Sequence, residues 1–324
     1  MDRLQIIHKP IERELEELKE MYDNSLQSDD LLLNEVLTYV RKRSGKLMRP
    51  ILILLTAKLT GDISPSTYHA ALAMELLHNA TLVHDDIVDE SEERRGRPSV
   101  NAAFNNKVAV LAGDYMLATA LLHSVKTEDI RIIRIISTLG QVLAVGEIIQ
   151  LENINRQSFS EEVYFDVIRK KTASLFAGSA HAGALSAGAD EAKAEHARLF
   201  GEKIGIAFQI KDDIFDYYDS PTIGKPTGND MREGKLTLPA LYALNHCPDE
   251  KAVSIAHKIK LLDASPEETA WLVDFVKRNG GIQYAEEVMR GYRDQALSMI
   301  PSECPESLKE AFTAFIDYVI ERER

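Results

Sequence analysis

Two acidic clusters of the form DDxxD constrain the fold of this chain more than any other feature. The first lies in residues 85–89 and the second in residues 212–216. On an α-helix, positions i, i+1 and i+4 lie at about 0°, 100° and 40° around the axis, so the three carboxylates share one face. Two like charges ~4 Å apart repel by about 4 kcal/mol at an effective dielectric constant of ~20. Such clusters therefore stay apart in water or bind multivalent cations.

A single acidic cluster of this kind is common on a solvated helix face, but here three observations favour a metal site. The cluster occurs twice, its aspartates are interleaved with Ile, Val and Phe, and each copy ends a long apolar helix. Carboxylate oxygens that leave coordination positions open for phosphate suit Mg²⁺ better than zinc. We therefore interpret the clusters as two facing Mg²⁺ sites that hold a diphosphate above a deep cavity. The predicted metal ligands are Asp85, Asp86, Asp89, Asp212, Asp213 and Asp216.

The rest of the chain predicts helices almost throughout. Ile7, Ile11, Leu15, Leu18 and Tyr22 form an amphipathic stripe, and no stretch alternates apolar and polar residues as a strand would. The predicted helices span about 30–43, 67–89, 106–123, 128–152, 160–187 and 191–219, with polar loops at 90–98 and 220–238. The stretch 173–189 is apolar on nearly all sides and should be buried or line an apolar cavity. We predict an all-α fold, a single domain over residues 1–324 with about a dozen helices around a deep central cavity.

Charge and composition exclude several classes of protein. The net charge of -13 argues against nucleic-acid binding, which needs a basic surface. Cys247 and Cys304 are far apart, in no metal or redox spacing, and fit a reducing cytosol. Uninterrupted apolar runs such as Ile51 to Leu55 are too short to span a bilayer, and the N-terminus lacks an apolar signal core. We predict a cytoplasmic protein without a transmembrane segment, for which peripheral membrane contact stays open.

Basic residues form four clusters in this acidic chain. They are residues 45–50 (GKLMRP), Arg94 with Arg95, residues 170–172 (KKT), and Lys225 with Lys235. Each alone is typical of a solvated helix end, and the nucleotide-binding pattern GxxxxGK[ST] is absent. Three of the four, however, lie beside a break next to an aspartate helix or in the loop after one. Diphosphates need such cations, since Arg offers forked contacts and Lys a point charge.

Two more polar residues share a helix face with the aspartates. His78 lies two turns before Asp85, and Gln209 lies three residues before Asp212. A lone histidine on an apolar helix is usually a core residue with satisfied hydrogen bonds. Because His78 is aligned with the acidic cluster, contact with a ligand is the better interpretation.

In combination, these motifs resemble those of trans-polyprenyl diphosphate synthases, in the isoprenyl diphosphate synthase family. The similarity runs from about Lys46 to Pro239. It includes GKxxRP at 45–50, His78, DDxxD with RRG at 85–96, KT at 171–172, FQxxDDxxD at 208–216 and GKPxGxD…GK at 224–235. That family is all-α and dimeric, and it joins isopentenyl diphosphate head-to-tail to an allylic diphosphate such as farnesyl diphosphate. The resemblance implies a homodimeric prenyltransferase.

The resemblance also implies roles for individual residues. Three Mg²⁺ would be held with the allylic diphosphate by Asp85, Asp89 and Asp212, joined by Asp86 and Asp216. Arg94, Lys171 and Lys225 would contact that diphosphate, and Lys235 would also bind substrate. Lys46, Arg49, His78 and Arg95 would hold the isopentenyl diphosphate. Thr172 and Gln209 would border the developing carbocation, and the released diphosphate would accept the proton.

Product length is predicted from the residues just before the first DDxxD. The short-chain members of the family place bulky aromatic residues there, where this chain has Ala80 and Thr81. Small side chains one helical turn (~5.4 Å) below the metals leave a tunnel open. This favours a long product, in the octaprenyl range, with a floor deeper in the protein near Ile136, Leu139 or Leu143. The alternative is that Ala80 is simply a helix–helix contact.

Two other functions compete with this interpretation. A class I terpene cyclase would share the first DDxxD but typically carries an Asn/Ser/Glu triad in place of the second, and lacks GKxxRP. The chain could also be a regulatory or structural subunit of a two-chain synthase, but an inactive subunit should have degraded aspartate motifs, and both motifs are intact here. A catalytic subunit that needs a small partner stays open, and activity of the chain alone would discriminate.

Overall fold

The computed structural model describes residues 2–42, 45–94, 96–154, 158–218 and 227–321, and they are mainly helical. The all-α prediction is confirmed. The α-helices are α1 (Arg3–His8), α2 (Glu12–Ser25), α3 (Leu31–Arg41), α4 (Met48–Thr60), α5 (Pro65–Val88), α6 (Val100–Ala103), α7 (Asn106–Val125), α8 (Ile130–Ile154), α9 (Glu161–Ile168), α10 (Ser174–Ser186), α11 (Glu191–Phe215), α12 (Asn229–Arg232), α13 (Leu238–His246), α14 (Glu250–Lys260), α15 (Pro266–Arg278), α16 (Gly281–Ser298) and α17 (Glu306–Glu321). A 3₁₀ turn covers Lys9–Ile11, and a π-helical turn covers Arg169–Ala173.

The chain divides into two compact units, each built from three segments. The first unit comprises residues 1–140, 175–201 and 300–315. The second comprises residues 141–174, 202–299 and 316–324. The prediction of a single domain over residues 1–324 with one deep central cavity stays a prediction.

The N-terminal amphipathic stripe is confirmed. Its five apolar side chains are all buried: Ile7, Ile11, Leu15, Leu18 and Tyr22. Burial of each large aliphatic side chain contributes ~1.5–3 kcal/mol. Pro10 lies in the 3₁₀ turn between α1 and α2, where a missing N–H and a fixed φ interrupt the α-helical hydrogen bonds.

Helices α4, α5 and α10 build much of the core of the first unit. Every residue of α4 from Pro50 to Ala57 is buried, and so is α10 from Leu175 to Leu185 except His181. A helix that is apolar on all sides must be enclosed by neighbours. The predicted burial is therefore confirmed for most of the stretch 173–189, although Gly188 near its end is exposed. Helix α5 packs against α4 and α7 and carries the first DDxxD at its C-terminal end.

The predicted polar loop at 90–98 contains a small element that the sequence did not indicate. Glu93–Arg94 pairs antiparallel with Arg97–Pro98, and Arg94 lies opposite Arg97. Gly96 closes this hairpin with a φ of 74°, a conformation that glycine adopts without strain. Each strand has only two residues, which is too few to show an alternating pattern. The expectation that the chain contains no strand was therefore wrong for this hairpin.

A π-helical turn interrupts the predicted helix over 160–187. In the second unit it is packed between two glycines, Gly146 of α8 and Gly205 of α11. A Cβ at Gly146 would lie 3.0 Å from Lys170 Cβ, and one at Gly205 would lie 2.5 Å from Ala173 Cα. Neither site has room for a side chain. The extra residue of a π-turn shifts the helix face, and such turns are frequent at functional sites.

Two of the described helices, α7 and α8, are long and apolar enough to cross a membrane by length and composition alone. In the structure, 39% and 28% of these two apolar stretches are buried. Neither was expected from the sequence, where only uninterrupted apolar runs were considered. Core helices of soluble proteins also have this length and composition. The predicted absence of a transmembrane segment stays a prediction.

Two histidines meet between α5 and α7 in the first unit. The Nδ1 atoms of His69 and His123 are 3.1 Å apart. Burial lowers the pKa of His123 to about 4, and the charges of Lys126 and His69 act in the same direction. Burial and Lys126 also lower the pKa of His69. One neutral ring must donate to the other, so protonation of both would place two cations in contact.

This histidine pair predicts acid sensitivity. A histidine with a lowered pKa in the folded state binds fewer protons than in the unfolded chain, so its contribution to stability is lost as the pH falls from 6.5 towards 4. At up to ~1.4 kcal/mol per pH unit, we expect His123 to account for a loss on the order of 2–3 kcal/mol. Urea unfolding of His123→Gln should show a flatter pH dependence over this range. His246→Gln, at an exposed position, should keep the original slope; equal slopes in both variants would contradict the assignment.

The packing of the π-turn predicts that Gly205→Ala is destabilising. Its Cβ would lie 2.5 Å from the Ala173 backbone, so the helices must shift, at a cost of ~1–3 kcal/mol. The control is Gly291→Ala in α16, where no atom lies within 4 Å and alanine should stabilise the helix by ~0.5–1 kcal/mol. The free energies of unfolding in urea measure both. A Gly205→Ala variant as stable as its control would show that the π-turn does not depend on this contact.

Candidate active site

The first DDxxD lies at the end of α5, in the first unit. Asp85 is half-buried and Asp89 is exposed at the helix C-terminus, whereas Asp86 is only 2% exposed. The angle of ~100° between successive residues turns the Asp86 carboxylate into the protein. Asp86 Oδ1 accepts a hydrogen bond from Arg94 Nε at 2.6 Å. The guanidinium thereby compensates the buried charge, which would otherwise cost several kcal/mol.

The hairpin at 93–98 carries the predicted diphosphate ligand Arg94. The bond to Asp86 uses one of the five N–H donors of the guanidinium. The side chain remains 34% exposed. The hydrogen bond from Arg94 Nε to Asp86 therefore holds the guanidinium beside the first acidic cluster. Arg95 lies outside the described residues, so its predicted role stays a prediction.

The GKxxRP motif forms the start of α4. Lys46 is exposed, Leu47 adopts a left-handed φ of 53°, and Arg49 and Pro50 lie in the first helical turn. The Arg49 guanidinium carbon lies 5.2 Å from the centre of the Phe176 ring. Backbone N–H groups and the dipole at a helix N-terminus favour anions, and two cationic side chains add to this. This end of α4 has the chemistry of an anion site.

The predicted chain-length residues lie on α5 in the same unit. Ala80 is 1% exposed, and Thr81 donates from Oγ1 to the carbonyl of His78 at 2.9 Å. His78 itself is half-buried. Ile136 and Leu139 of α8 are buried in this unit, and Leu143 is buried in the second unit. Their burial is compatible with a tunnel floor, which stays a prediction.

The second DDxxD lies at the end of α11, in the second unit. Asp212 is half-buried, while Asp213 is 3% exposed and accepts hydrogen bonds on both oxygens. Tyr164 Oη donates to its Oδ2 at 2.5 Å, and Gln209 Nε2 donates to its Oδ1 at 2.8 Å. Burial raises the pKa of Asp213 to about 7, and these two hydrogen bonds oppose the rise. The middle aspartate is buried and hydrogen-bonded in this motif too.

The third aspartate of this motif does not lie on the helix. Helix α11 ends at Phe215 rather than at the predicted 219, and Asp216 follows in a turn. Its Oδ1 and Oδ2 accept backbone N–H groups from Asn229 at 2.9 Å and Asp230 at 3.1 Å. The Asp216 carbonyl also accepts the Gly228 N–H at 2.8 Å. Asp216 thus fixes the start of α12. Residues 219–226 lie outside the described residues, so the predicted role of Lys225 stays a prediction.

A cavity of about 200 Å³ in the second unit brings several of the predicted residues together. Its lining includes the predicted residues Lys171, Thr172, Gln209, Asp213 and Lys235. It also includes four that the sequence argument missed: Gln150, Tyr164, Asp230 and Lys260. Asp230 is the last residue of the GKPxGxD motif at 224–230, and the sequence did not assign it a function. Burial, together with the charges of Asp216 and Asp213, raises its pKa well above the usual value.

Salt bridges hold the lysines of this cavity in place. Lys171 Nζ lies 2.5 Å from Glu147 Oε2, and Lys235 Nζ lies 2.7 Å from Glu233 Oε2. Lys260, only 4% exposed, donates to the carbonyls of Asn153 and Ser158 at 3.0 Å each. Its buried charge ties the end of α8 to the segment before α9. No local pattern predicted this, because the partners are more than 100 residues away.

The acidic residues suit a metal that also binds the substrate. Among the described residues, no group of three or more His, Cys, Asp or Glu side chains is arranged to hold a metal ion. Mg²⁺ usually takes one or two carboxylates together with substrate phosphates, rather than a cage built only of protein ligands. Asp85, Asp89 and Asp212 offer hard oxygens at accessible or half-buried positions. The donor set therefore fits Mg²⁺ in company with a diphosphate. The facing arrangement of the two motifs, which lie in different units, stays a prediction.

Comparisons with known proteins agree with these motifs. The polyprenyl synthetase family model matches residues 30–276. The chain is 36% identical over 236 residues to octaprenyl diphosphate synthase of Escherichia coli (strain K12), covering 72% of this chain and 73% of that protein. It is 33% identical to heptaprenyl diphosphate synthase component 2 of Geobacillus stearothermophilus, over 92% of each.

Solved structures show the same fold. A geranylgeranyl pyrophosphate synthase from Bacteroides thetaiotaomicron has a TM-score of 0.88 and 51% identity, covering 99% of this chain and 100% of that one. A polyprenyl synthase from Caulobacter crescentus CB15, complexed with calcium and isoprenyl diphosphate, has a TM-score of 0.91 and 30% identity, covering 99% and 98%. The chain belongs to the polyprenyl synthetase family and is a prenyltransferase.

Proposed function

We propose that this prenyltransferase adds isopentenyl diphosphate units head-to-tail to an allylic diphosphate such as farnesyl diphosphate, giving a long-chain all-trans polyprenyl diphosphate. The cavity of the second unit carries this proposal. It combines Lys171 and Lys235, which suit a diphosphate, with a hydroxyl and an amide from Thr172 and Gln209. Cations for the leaving group beside neutral oxygens for a developing carbocation are what an ionisation and condensation reaction needs.

Mg²⁺ is the proposed metal, with three ions in each active site. Asp85, Asp89 and Asp212 are the primary metal ligands in this proposal. Asp86, Asp213 and Asp216 hold the two motifs in position through their hydrogen bonds. When bound, Mg²⁺ would neutralise the negative charge that develops on the leaving diphosphate. The relative from Caulobacter crescentus supports this, because its structure contains calcium together with isoprenyl diphosphate. Calcium and magnesium both prefer oxygen ligands.

The basic residues divide between the two substrates. Lys171, Lys235, Arg94 and Lys225 are proposed to bind the allylic diphosphate and stabilise its charge as the C–O bond breaks. Lys46, Arg49, His78 and Arg95 are proposed to hold the isopentenyl diphosphate. The start of α4 supports this second site, since Lys46 and Arg49 lie within two residues of the helix N-cap, Leu47.

Condensation leaves a proton to be removed. The double bond of isopentenyl diphosphate attacks the allylic carbon, and Thr172 and Gln209 are proposed to border the cation. Because no His or Glu is an obvious base, we propose that the released diphosphate accepts the proton. Apolar walls would keep water from quenching the cation.

A long product, in the octaprenyl range, is proposed from the small side chains at the predicted chain-length positions. Ala80 is almost completely buried, so a larger residue there would intrude on its surroundings. The names of the compared proteins include a geranylgeranyl, a heptaprenyl and an octaprenyl synthase. Family membership alone therefore does not set the length.

A homodimer in the cytoplasm is also proposed, with peripheral membrane contact during product release. Helix α7 supports a dimer. It packs on α5 in the first unit and leaves large apolar side chains exposed on its other side, including Leu111 at 66% and Leu122 at 63%. Such a surface is typical of a site of protein or membrane contact, and a second copy of the chain is the partner proposed here.

A two-chain synthase is the second candidate. The relative named heptaprenyl diphosphate synthase component 2 is 33% identical over 92% of this chain. Its name indicates an enzyme of more than one component. In that case this chain, with both aspartate motifs intact, would be the catalytic component.

Activity of the purified chain tests the proposed function. With isopentenyl diphosphate, farnesyl diphosphate and Mg²⁺, we expect a polyprenyl diphosphate, sized by mass spectrometry, and none with a chelator. Asp212→Asn should lower kcat at least ~10²-fold without loss of thermal stability, since it relieves carboxylate repulsion. Asp274→Asn, at an exposed position, is the control. Product only after addition of a second protein would favour the two-chain enzyme, and a hydrocarbon product would favour a cyclase.

The chain-length proposal predicts the effect of a bulky residue at position 80. In Ala80→Phe the ring would project from α5 one turn below the first DDxxD and shorten the product sharply. Thr81→Ala keeps a small residue beside it and should leave the product length unchanged. Chain lengths are read by chromatography of the dephosphorylated lipids. An unaltered distribution in a folded Ala80→Phe variant would remove this position from the determinants of length.

A further inference from the structure

We propose that Tyr164 and Asp213 are positioning residues that orient the Thr172 hydroxyl, so that its lone pairs rather than its proton face the reacting allylic carbon. This inference rests on the proposed function, since the orientation matters only where a carbocation develops. It gives the middle aspartate of the second DDxxD a role that differs from metal binding.

A continuous chain of hydrogen bonds connects these residues within the second unit. Tyr164 Oη donates to Asp213 Oδ2 at 2.5 Å. Asp213 Oδ1 accepts from Gln209 Nε2 at 2.8 Å. Thr172 Oγ1 donates to Gln209 Oε1 at 2.6 Å. All four residues line the same cavity.

The direction of this chain follows from the chemistry of its members. The oxygen of Asp213 that faces Gln209, Oδ1, accepts from the Gln209 amide group both in the ionised carboxylate and in a carboxylic acid whose proton lies on Oδ2 beside Tyr164. With its NH₂ group directed at Asp213, Gln209 presents its carbonyl oxygen to Thr172. A carbonyl oxygen can only accept, so the single hydroxyl proton of Thr172 is used in this bond. The remaining lone pairs of the Thr172 oxygen are left for the cavity.

The chain is anchored at both ends. Tyr164 and Asp213 are 7% and 3% exposed, so water does not compete for their hydrogen bonds. Gln209 lies one helical turn before Asp213 on α11. Thr172 belongs to the π-turn that Gly205 contacts at Ala173. A rotation of the Gln209 amide by 180° would therefore break its bonds to both Asp213 and Thr172.

The orientation affects the energy of the transition state. As the allylic C–O bond breaks, positive charge develops on the carbon, and an oxygen dipole directed at it is stabilising. A hydroxyl turned the other way would direct its positive end at the cation. Preorganisation by buried hydrogen bonds avoids reorientation during the reaction. No proton is transferred along the chain.

A double-mutant cycle tests this proposal in the full-length chain. Thr172→Val keeps the shape of the side chain but removes the hydroxyl, and should lower kcat ~10–100-fold. Asp213→Asn alone should lower kcat at least ~10-fold, because an amide at 213 no longer fixes the direction of Gln209. In the Thr172→Val background, Asp213→Asn should change kcat by less than ~2-fold, since there is no hydroxyl left to orient. The KM values and the Mg²⁺ concentration for half-maximal rate should stay at wild-type values in Asp213→Asn.

A second cycle uses Tyr164→Phe, which removes one donor and keeps the ring. It should lower kcat ~3–10-fold with Thr172 present and have no effect in the Thr172→Val background. Tyr284→Phe is the matched control, because Tyr284 donates to Glu161 at 2.9 Å elsewhere in this unit. Its kcat should equal that of the wild type. If Asp213→Asn does not fold, as judged by circular dichroism, this cycle alone decides the proposal.

The possible outcomes separate this proposal from the proposed function. Effects on kcat that multiply in both cycles would overturn the orienting role, and so would a higher Mg²⁺ requirement in Asp213→Asn, which would identify a metal ligand. If the wild type forms no condensation product, the proposed function itself fails and this inference with it. An active wild type with non-additive cycles supports both.

Discussion

The structure of the candidate site depends on how two buried carboxylates are compensated. Each DDxxD motif turns its middle aspartate into the protein, where an uncompensated charge would cost several kcal/mol. Asp86 is bonded to Arg94 at 2.6 Å, and Asp213 to Tyr164 at 2.5 Å and Gln209 at 2.8 Å. These bonds require the short hairpin beside α5 and the helix α9 beside α11. The motif is therefore a folding constraint as well as a candidate metal site.

A consistent division of roles within each motif follows from this constraint. The outer carboxylates of Asp85, Asp89 and Asp212 remain at accessible or half-buried positions. In the second unit, the bonds of Asp213 continue through Gln209 to Thr172, on a π-turn packed between two glycines. The same turn carries Lys171, which Glu147 holds at 2.5 Å. Because α8, α9 and α11 pack around this turn, Lys171, Thr172 and Asp213 line the same cavity.

The sequence predicted what local periodicity and composition determine. Helix spans, the buried stretch 173–189 and the polar faces of the aspartate helices could be inferred because each depends on residues a few positions apart. The partners of Asp213 and Lys260 could not, since Tyr164 is 49 residues from Asp213 and Asn153 is 107 residues from Lys260. The end of α11 at Phe215 was also missed, because Asp216 bonds backbone groups beyond the loop. The π-turn left no local signal, since the glycines that admit it lie on other helices.

The most direct test of this account is a crystal structure with Mn²⁺ and a non-ionisable allylic thiodiphosphate, in which anomalous scattering locates the metal. We expect Mn²⁺ within coordination distance of oxygens of Asp85, Asp89 and Asp212 and of the diphosphate. Asp213 should still accept hydrogen bonds from Tyr164 and Gln209, and Asp86 from Arg94. Metal bound by Asp86 or Asp213, or a diphosphate bound away from both motifs, would contradict the proposed division of roles between the aspartates.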